Sequence, residues 1–165
     1  MKRLDFLDFL KSYAFVIGVL KSFAILSCAI AGWLLGNVSA GLTAATTIIM
    51  IAPSDIPGNR KHHLGGIVIA TLFVAISSVS VNFVHAYGTL WELLTVMAVL
   101  TFGYAYISLY GARAAMVSIA GIFTLTLALV RPQEGIHILY NALYIFLAGV
   151  WYIFLVRVLM WIRPR

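Results

Sequence analysis

Residues 13–36 form an apolar run with a single charge, Lys21, and crossing a bilayer takes about 20 such residues. Five further apolar segments follow, at about residues 39–52, 63–85, 90–110, 112–130 and 136–161. Of the 165 residues 63% are hydrophobic and 10% charged, whereas soluble domains carry about 25% charge. The chain therefore reads as all-α, a polytopic integral membrane protein. Its architecture is a single six-helix transmembrane module over residues 1–165, with a short second helix.

Local punctuation separates the segments. Asn37-Val38-Ser39 divides the first two, and Ser39 can cap the second helix. Pro53-Ser54-Asp55-Ile56-Pro57-Gly58-Asn59 is a loop. Thr89 and Glu92 have the spacing of a capping box at the start of the fourth segment. Gly111 breaks the fourth from the fifth, and Pro132, with Glu134 close behind, suits the first turn of the sixth.

The basic residues set the topology. With the N-terminus in the cytoplasm, Lys2, Arg3, Lys11, Arg60, Lys61, Arg113, Arg157, Arg163 and Arg165 all fall on the cytoplasmic side, and only Arg131 falls outside. That bias is the positive-inside pattern of an even number of spans with both termini cytoplasmic. Counting five spans scatters the same charges over both faces. Trp33 and Trp91 fall at the outer interface and Trp161 at the inner one, where amphipathic rings settle. The net charge of +6 is spread over segment ends and forms no single patch, which excludes a nucleic-acid surface. The single Cys28 permits no intrachain disulfide. The first run is too long for the apolar core of a signal peptide.

Lys21 lies ~12 Å into its span at ~1.5 Å per residue, where a charge costs at least a few kcal/mol. Helical spacing groups it with Ala14, Gly18, Ile25, Cys28 and Gly32, while Phe15, Val19, Phe23, Leu26, Ile30 and Leu34 form a bulkier side suited to lipid. The small-residue face is expected to look into the bundle or across a subunit contact. Two readings of Lys21 stand: a pathway residue for an anion, or a side chain snorkelling back to the headgroups.

The second segment, at ~21 Å for fourteen residues, is short for a ~30 Å hydrocarbon core, and Ser39, Thr43, Thr46 and Thr47 make one side of it polar. Short helices of this kind build substrate sites in transporters, and the positive end near Ser39 favours an anion. The competing reading is a short helix shielded by its neighbours, its threonines bonded to their own backbone. Arg113 opens a fifth segment rich in small residues, with Gly111 and Ala115, and Ala114 and Ser118, as close-packing pairs. It is either a topology anchor or the guard of a pore mouth, and Arg157 shares that ambiguity with more weight on the anchor. Asn82 and Asn141 read as interhelical hydrogen-bond partners. The adjacent His62 and His63 lack the further ligands a metal site needs.

All five acids, Asp5, Asp8, Asp55, Glu92 and Glu134, sit at ends or in loops, so no buried carboxylate relay of the proton-coupled kind is expected. No nucleophile elbow, phosphate loop, zinc-binding helix or dinucleotide fingerprint is present. The expectation is no enzyme activity and no cofactor.

Six spans, a threonine-rich short second helix, and Pro53-Ser54-Asp55 with Pro57-Gly58-Asn59-Arg60 leading into Gly65-Gly66 resemble the membrane module of the fusaric acid resistance family. That family includes aromatic carboxylic acid exporters and inner-membrane proteins. In outline the pattern is also similar to the aluminium-activated malate channels. Trp161-Ile162-Arg163-Pro164-Arg165 resembles the point where family members leave the membrane for a cytosolic helical domain. The expectation is thus a module of a bacterial inner membrane without that domain. The resemblance implies transport of small organic, above all aromatic, carboxylates out of the cytoplasm, with Lys21 and then Arg113 as the attracting cations. Because both ends share one side, two modules would pair in parallel, so the expected partners besides the lipid bilayer and the anion are a homodimer mate or a second six-span module. The rival reading is a membrane anchor or assembly subunit whose partner carries the activity.

Overall fold

The computed structural model describes residues 13–55 and 60–162. Among the described residues six α-helices follow one another: α1 (Tyr13–Leu34), α2 (Val38–Ile51), α3 (Arg60–Tyr87), α4 (Leu90–Ser108), α5 (Ala112–Val130) and α6 (Ile136–Ile162), with a 3₁₀ turn, Ala52–Ser54, prolonging α2. Five helices are long and apolar enough to cross a membrane, and Val38–Ser54 is the shorter sixth. The protein is an all-α membrane bundle, with the short second helix read from sequence.

Each connection has a local cause. Gly36, at φ +69°, reverses the chain after α1. Asn37 then caps α2, its side-chain oxygen accepting from the Ala40 N–H at 3.0 Å, so Asn37 rather than Ser39 is the cap. Thr89 and Glu92 form the expected reciprocal capping box on α4. Gly111, at φ +110°, precedes α5 as expected. Pro132 and Glu134 lie outside α6, which begins at Ile136. The reason is tertiary: the Gln133 N–H donates to Asn82 Oδ1 on α3 at 2.7 Å and holds residues 131–135 across that helix.

Short connections make successive helices antiparallel. The turns at residues 35–37, 88–89 and 131–135 therefore gather at one end of the bundle, here the turn end. Residues 52–55 and 109–111 and both described chain ends gather at the other, the terminal end. α3 is the hub, packed against α2, α4, α5 and α6, while α1 lies mainly on α2. Ile48, Ile51, Ile67, Val74 and Tyr152 are among the fully buried side chains of the main core.

Small residues set the closest approaches. Gly32 on α1 meets Gly41 on α2 backbone to backbone, such that a Cβ on Gly32 would stand 2.3 Å from the Gly41 Cα. Gly121 on α5 seats the Tyr104 ring of α4, and Gly149 on α6 seats Thr71 of α3. On α1, Gly32 is buried and Ile25 and Cys28 half-buried, while Val19, Phe23, Leu26, Ile30 and Leu34 are exposed, as read from sequence; Gly18, which is exposed, and Phe15, which is half-buried, depart from that reading. Trp33 and Trp91 are exposed at the turn end and Trp161 at the terminal end.

Candidate functional site

A cavity of about 370 Å³ enters the bundle from the turn end. α2 contributes Thr43, Thr46 and Thr47, α3 contributes Ser78 and Asn82, α5 Thr124, and α6 Asn141, while Met50, Val74 and Ile145 close its apolar bottom. Arg131 and Gln133, from the α5–α6 turn, stand at its mouth with Ser39. All three threonines singled out in the sequence thus line one polar cavity inside an apolar bundle.

Its amides are fixed by hydrogen bonding. Asn82, 1% exposed, accepts the Gln133 N–H on Oδ1, which dictates the orientation of its carboxamide. Its Nδ2 donates to the Ser78 carbonyl at 2.7 Å and to Ser78 Oγ at 3.3 Å. Asn141 Nδ2 reaches the same Ser78 Oγ at 2.8 Å across the α3–α6 contact. Both asparagines are therefore structural links, as expected, and they also face the cavity.

Three of the four threonines bond their own helix backbone. Thr46 donates to the Leu42 carbonyl and Thr47 to the Thr43 carbonyl, each at 2.8 Å, and Thr124 to the Ala120 carbonyl at 2.8 Å. Their hydroxyl oxygens and methyl groups remain to face a guest, and a hydroxyl can rotate to donate. The strong donor at the mouth is the Arg131 guanidinium, which is exposed. The N-termini of α2 and α6 lie at this same end and direct positive dipole ends toward it.

Lys21 and Arg113 do not line this cavity. Lys21 is half-buried and makes no hydrogen bond or ion pair among the described residues. Arg113 is half-buried at the terminal end, its stem lying on Gly66, where a Cβ would come within 3.0 Å of Arg113 Cδ. That setting is a packed one, unlike the exposed Arg157. Lys2, Arg3, Lys11, Arg163, Arg165 and the side chains of Arg60, Lys61, His62 and His63 lie outside the described residues.

Asp55 corrects the reading of the acids. It does follow a helix end, yet it is only 6% exposed, and the fully buried Tyr152 on α6 donates a hydrogen bond to its Oδ2 at 3.0 Å. The 3₁₀ turn through Pro53 tucks the carboxylate back under the bundle; sequence shows the turn but not the donor, 97 residues away.

A second hollow, also about 370 Å³, runs between α1, α2 and α6 and is almost wholly apolar, lined by Cys28, Gly32, Gly41, Tyr144, Leu147 and Trp151 among others. Trp151 Nε1 donates to Ser27 Oγ at 2.9 Å along its edge. Cys28, expected on the face of Lys21, opens here, away from the polar cavity, and Lys21 lines neither space. No protein-family model, curated protein or solved structure matches the chain.

Proposed function

We propose that this chain is a transporter or channel module that moves small organic carboxylates, aromatic ones foremost, across the membrane. The observation carrying this reading is the cavity that opens at the turn end, where four threonines, a serine and two asparagines line the inside of an otherwise apolar bundle. Polar groups inside a membrane domain are costly to keep and mark transport pathways. An apolar bottom of Met50, Val74 and Ile145 beneath a cationic mouth suits an anion with an apolar body. At an effective dielectric near 20, a charge pair at ~4 Å contributes about 4 kcal/mol, enough for Arg131 to offset much of a carboxylate's desolvation.

In this reading the turn end faces outward and both chain ends face the cytoplasm, as the distribution of basic residues requires. The carboxylate meets Arg131 at the outer mouth, while Lys21 and Arg113, which lie off the cavity, act nearer the other end of the path. The test is benzoate flux in liposomes holding this chain alone, wild type against Arg131→Gln. Flux reduced about tenfold or more by the substitution supports the assignment; a folded, inserted protein with no flux supports the anchor reading instead.

A further inference from the structure

We propose that the Asp55–Tyr152 hydrogen bond is the latch of an inner gate, and that the structure shows this gate closed. The inference rests on the polar cavity being a pathway, but its test reads access, not transport.

Four helices repeat one order of side chains from the turn end to the terminal end. On α2 and the turn that prolongs it, Thr47 at the cavity is followed by the fully buried Ile51 and then by Ser54, with Asp55 directly after. On α6, Ile145 is followed by Ala148 and then Tyr152. On α5, Thr124 is followed by Ala120 and Val117 and then by Arg113. On α3, Val74 is followed by Ala70 and Ile67 and then by Gly66, against which Arg113 and the Ser54 carbonyl pack. The hydroxyls at that level bond within their own helices, Thr71 donating to the Ile67 carbonyl at 2.9 Å and the buried Ser118 to the Ala114 carbonyl at 2.8 Å. A polar cavity, an apolar plug and a polar lower layer are thus stacked along the bundle. From Val74 to Gly66 the plug spans about 12 Å at 1.5 Å per residue.

The apolar plug resists water but has no directional contact of its own. What fixes α2 against α6 beneath it is the Tyr152 hydroxyl on the Asp55 carboxylate. Tyr152 sits on α6 and Asp55 follows the 3₁₀ turn that prolongs α2, and both helices line the cavity above, so parting the two residues opens the plug toward the terminal end. α2 is suited to such a movement, being the shortest helix and ending in a 3₁₀ turn at Pro53. An apolar packing role for Tyr152 alone does not require a buried carboxylate opposite it, and burying one is costly unless it is hydrogen-bonded.

The test uses single-cysteine reporters in a Cys28→Ser background, labelled with a membrane-impermeant maleimide from either face of oriented vesicles. Thr47→Cys is expected to react from the turn end only, and Ile51→Cys, one turn deeper, from neither side. Adding Tyr152→Phe, which keeps the ring and removes only the hydroxyl, should raise labelling of Thr47→Cys from the terminal end about tenfold, the ratio expected for losing a hydrogen bond to a carboxylate. Unchanged turn-end labelling in that variant shows that the bundle has kept its fold. One-sided labelling unaltered by Tyr152→Phe overturns the latch. Ready labelling of Ile51→Cys from the terminal end in the presence of Tyr152 overturns the closed gate, whatever the variant does.

Discussion

Gly32→Ala offers the sharpest test of how α1 and α2 are held together. The new Cβ would lie 2.3 Å from the Gly41 Cα, 2.6 Å from its N and 3.0 Å from the Asn37 carbonyl oxygen. All three are backbone atoms, so no rotamer change relieves the contact. Non-bonded carbons settle at about 3.5 Å or more, which requires the two helices to part by about 1 Å. Forced overpacking of this kind costs about 1–3 kcal/mol. Gly18→Ala on the same helix is the control, because its Cβ meets nothing within 4 Å, and exchanging glycine for alanine in a helix gains up to about 1 kcal/mol. Both variants share that gain, so they should differ by the overpacking cost alone, about 1–3 kcal/mol. Unfolding by graded sodium dodecyl sulfate in mixed micelles, followed by tryptophan fluorescence and circular dichroism, measures the difference. Equal midpoints for Gly32→Ala and Gly18→Ala would refute the backbone-to-backbone crossing.

Two further substitutions probe the cavity and the charge within α1. Asn82→Ala leaves the Gln133 N–H without its acceptor, at a cost of about 1–3 kcal/mol, and should speed hydrogen exchange at that amide while leaving mid-α3 amides protected; wild-type exchange at Gln133 would dissociate the turn from α3. Lys21→Met removes a charge that has no partner among the described residues from an apolar run, so it should raise the unfolding midpoint and leave anion binding in the cavity unchanged; weaker binding would place Lys21 at the site after all.

The architecture was largely legible because it rests on local chemistry. Runs of apolar residues, the Thr89 and Glu92 pair and the Gly111 break each act within a few residues of themselves, and each appears in the structure. Thr43, Thr46 and Thr47 were legible as a polar stripe on a short helix, since their spacing alone puts them on one face. What sequence left hidden depends on contacts between distant segments. Arg131 read as the lone basic residue on the outer side, and it joins the threonines only because Asn82 ties the α5–α6 turn over α3, 51 residues away. Asp55 read as part of a loop, and its burial needs Tyr152 from the last helix. The choice of Asn37 over Ser39 as cap turned on the φ of Gly36, which fixes where α2 can begin. Lys21 stood out by its cost in an apolar run, but cost identifies no partner, and the structure supplies none among the described residues.

The central claim, a water-filled cavity that holds organic anions, is tested most directly by protection of Thr43→Cys in a Cys28→Ser background. An impermeant maleimide applied from the turn end should label that cysteine, and benzoate should slow the labelling in a saturable way that Arg131→Gln abolishes. A cysteine at position 43 that stays unlabelled in the folded protein, or labels at a rate indifferent to benzoate, would contradict the claim.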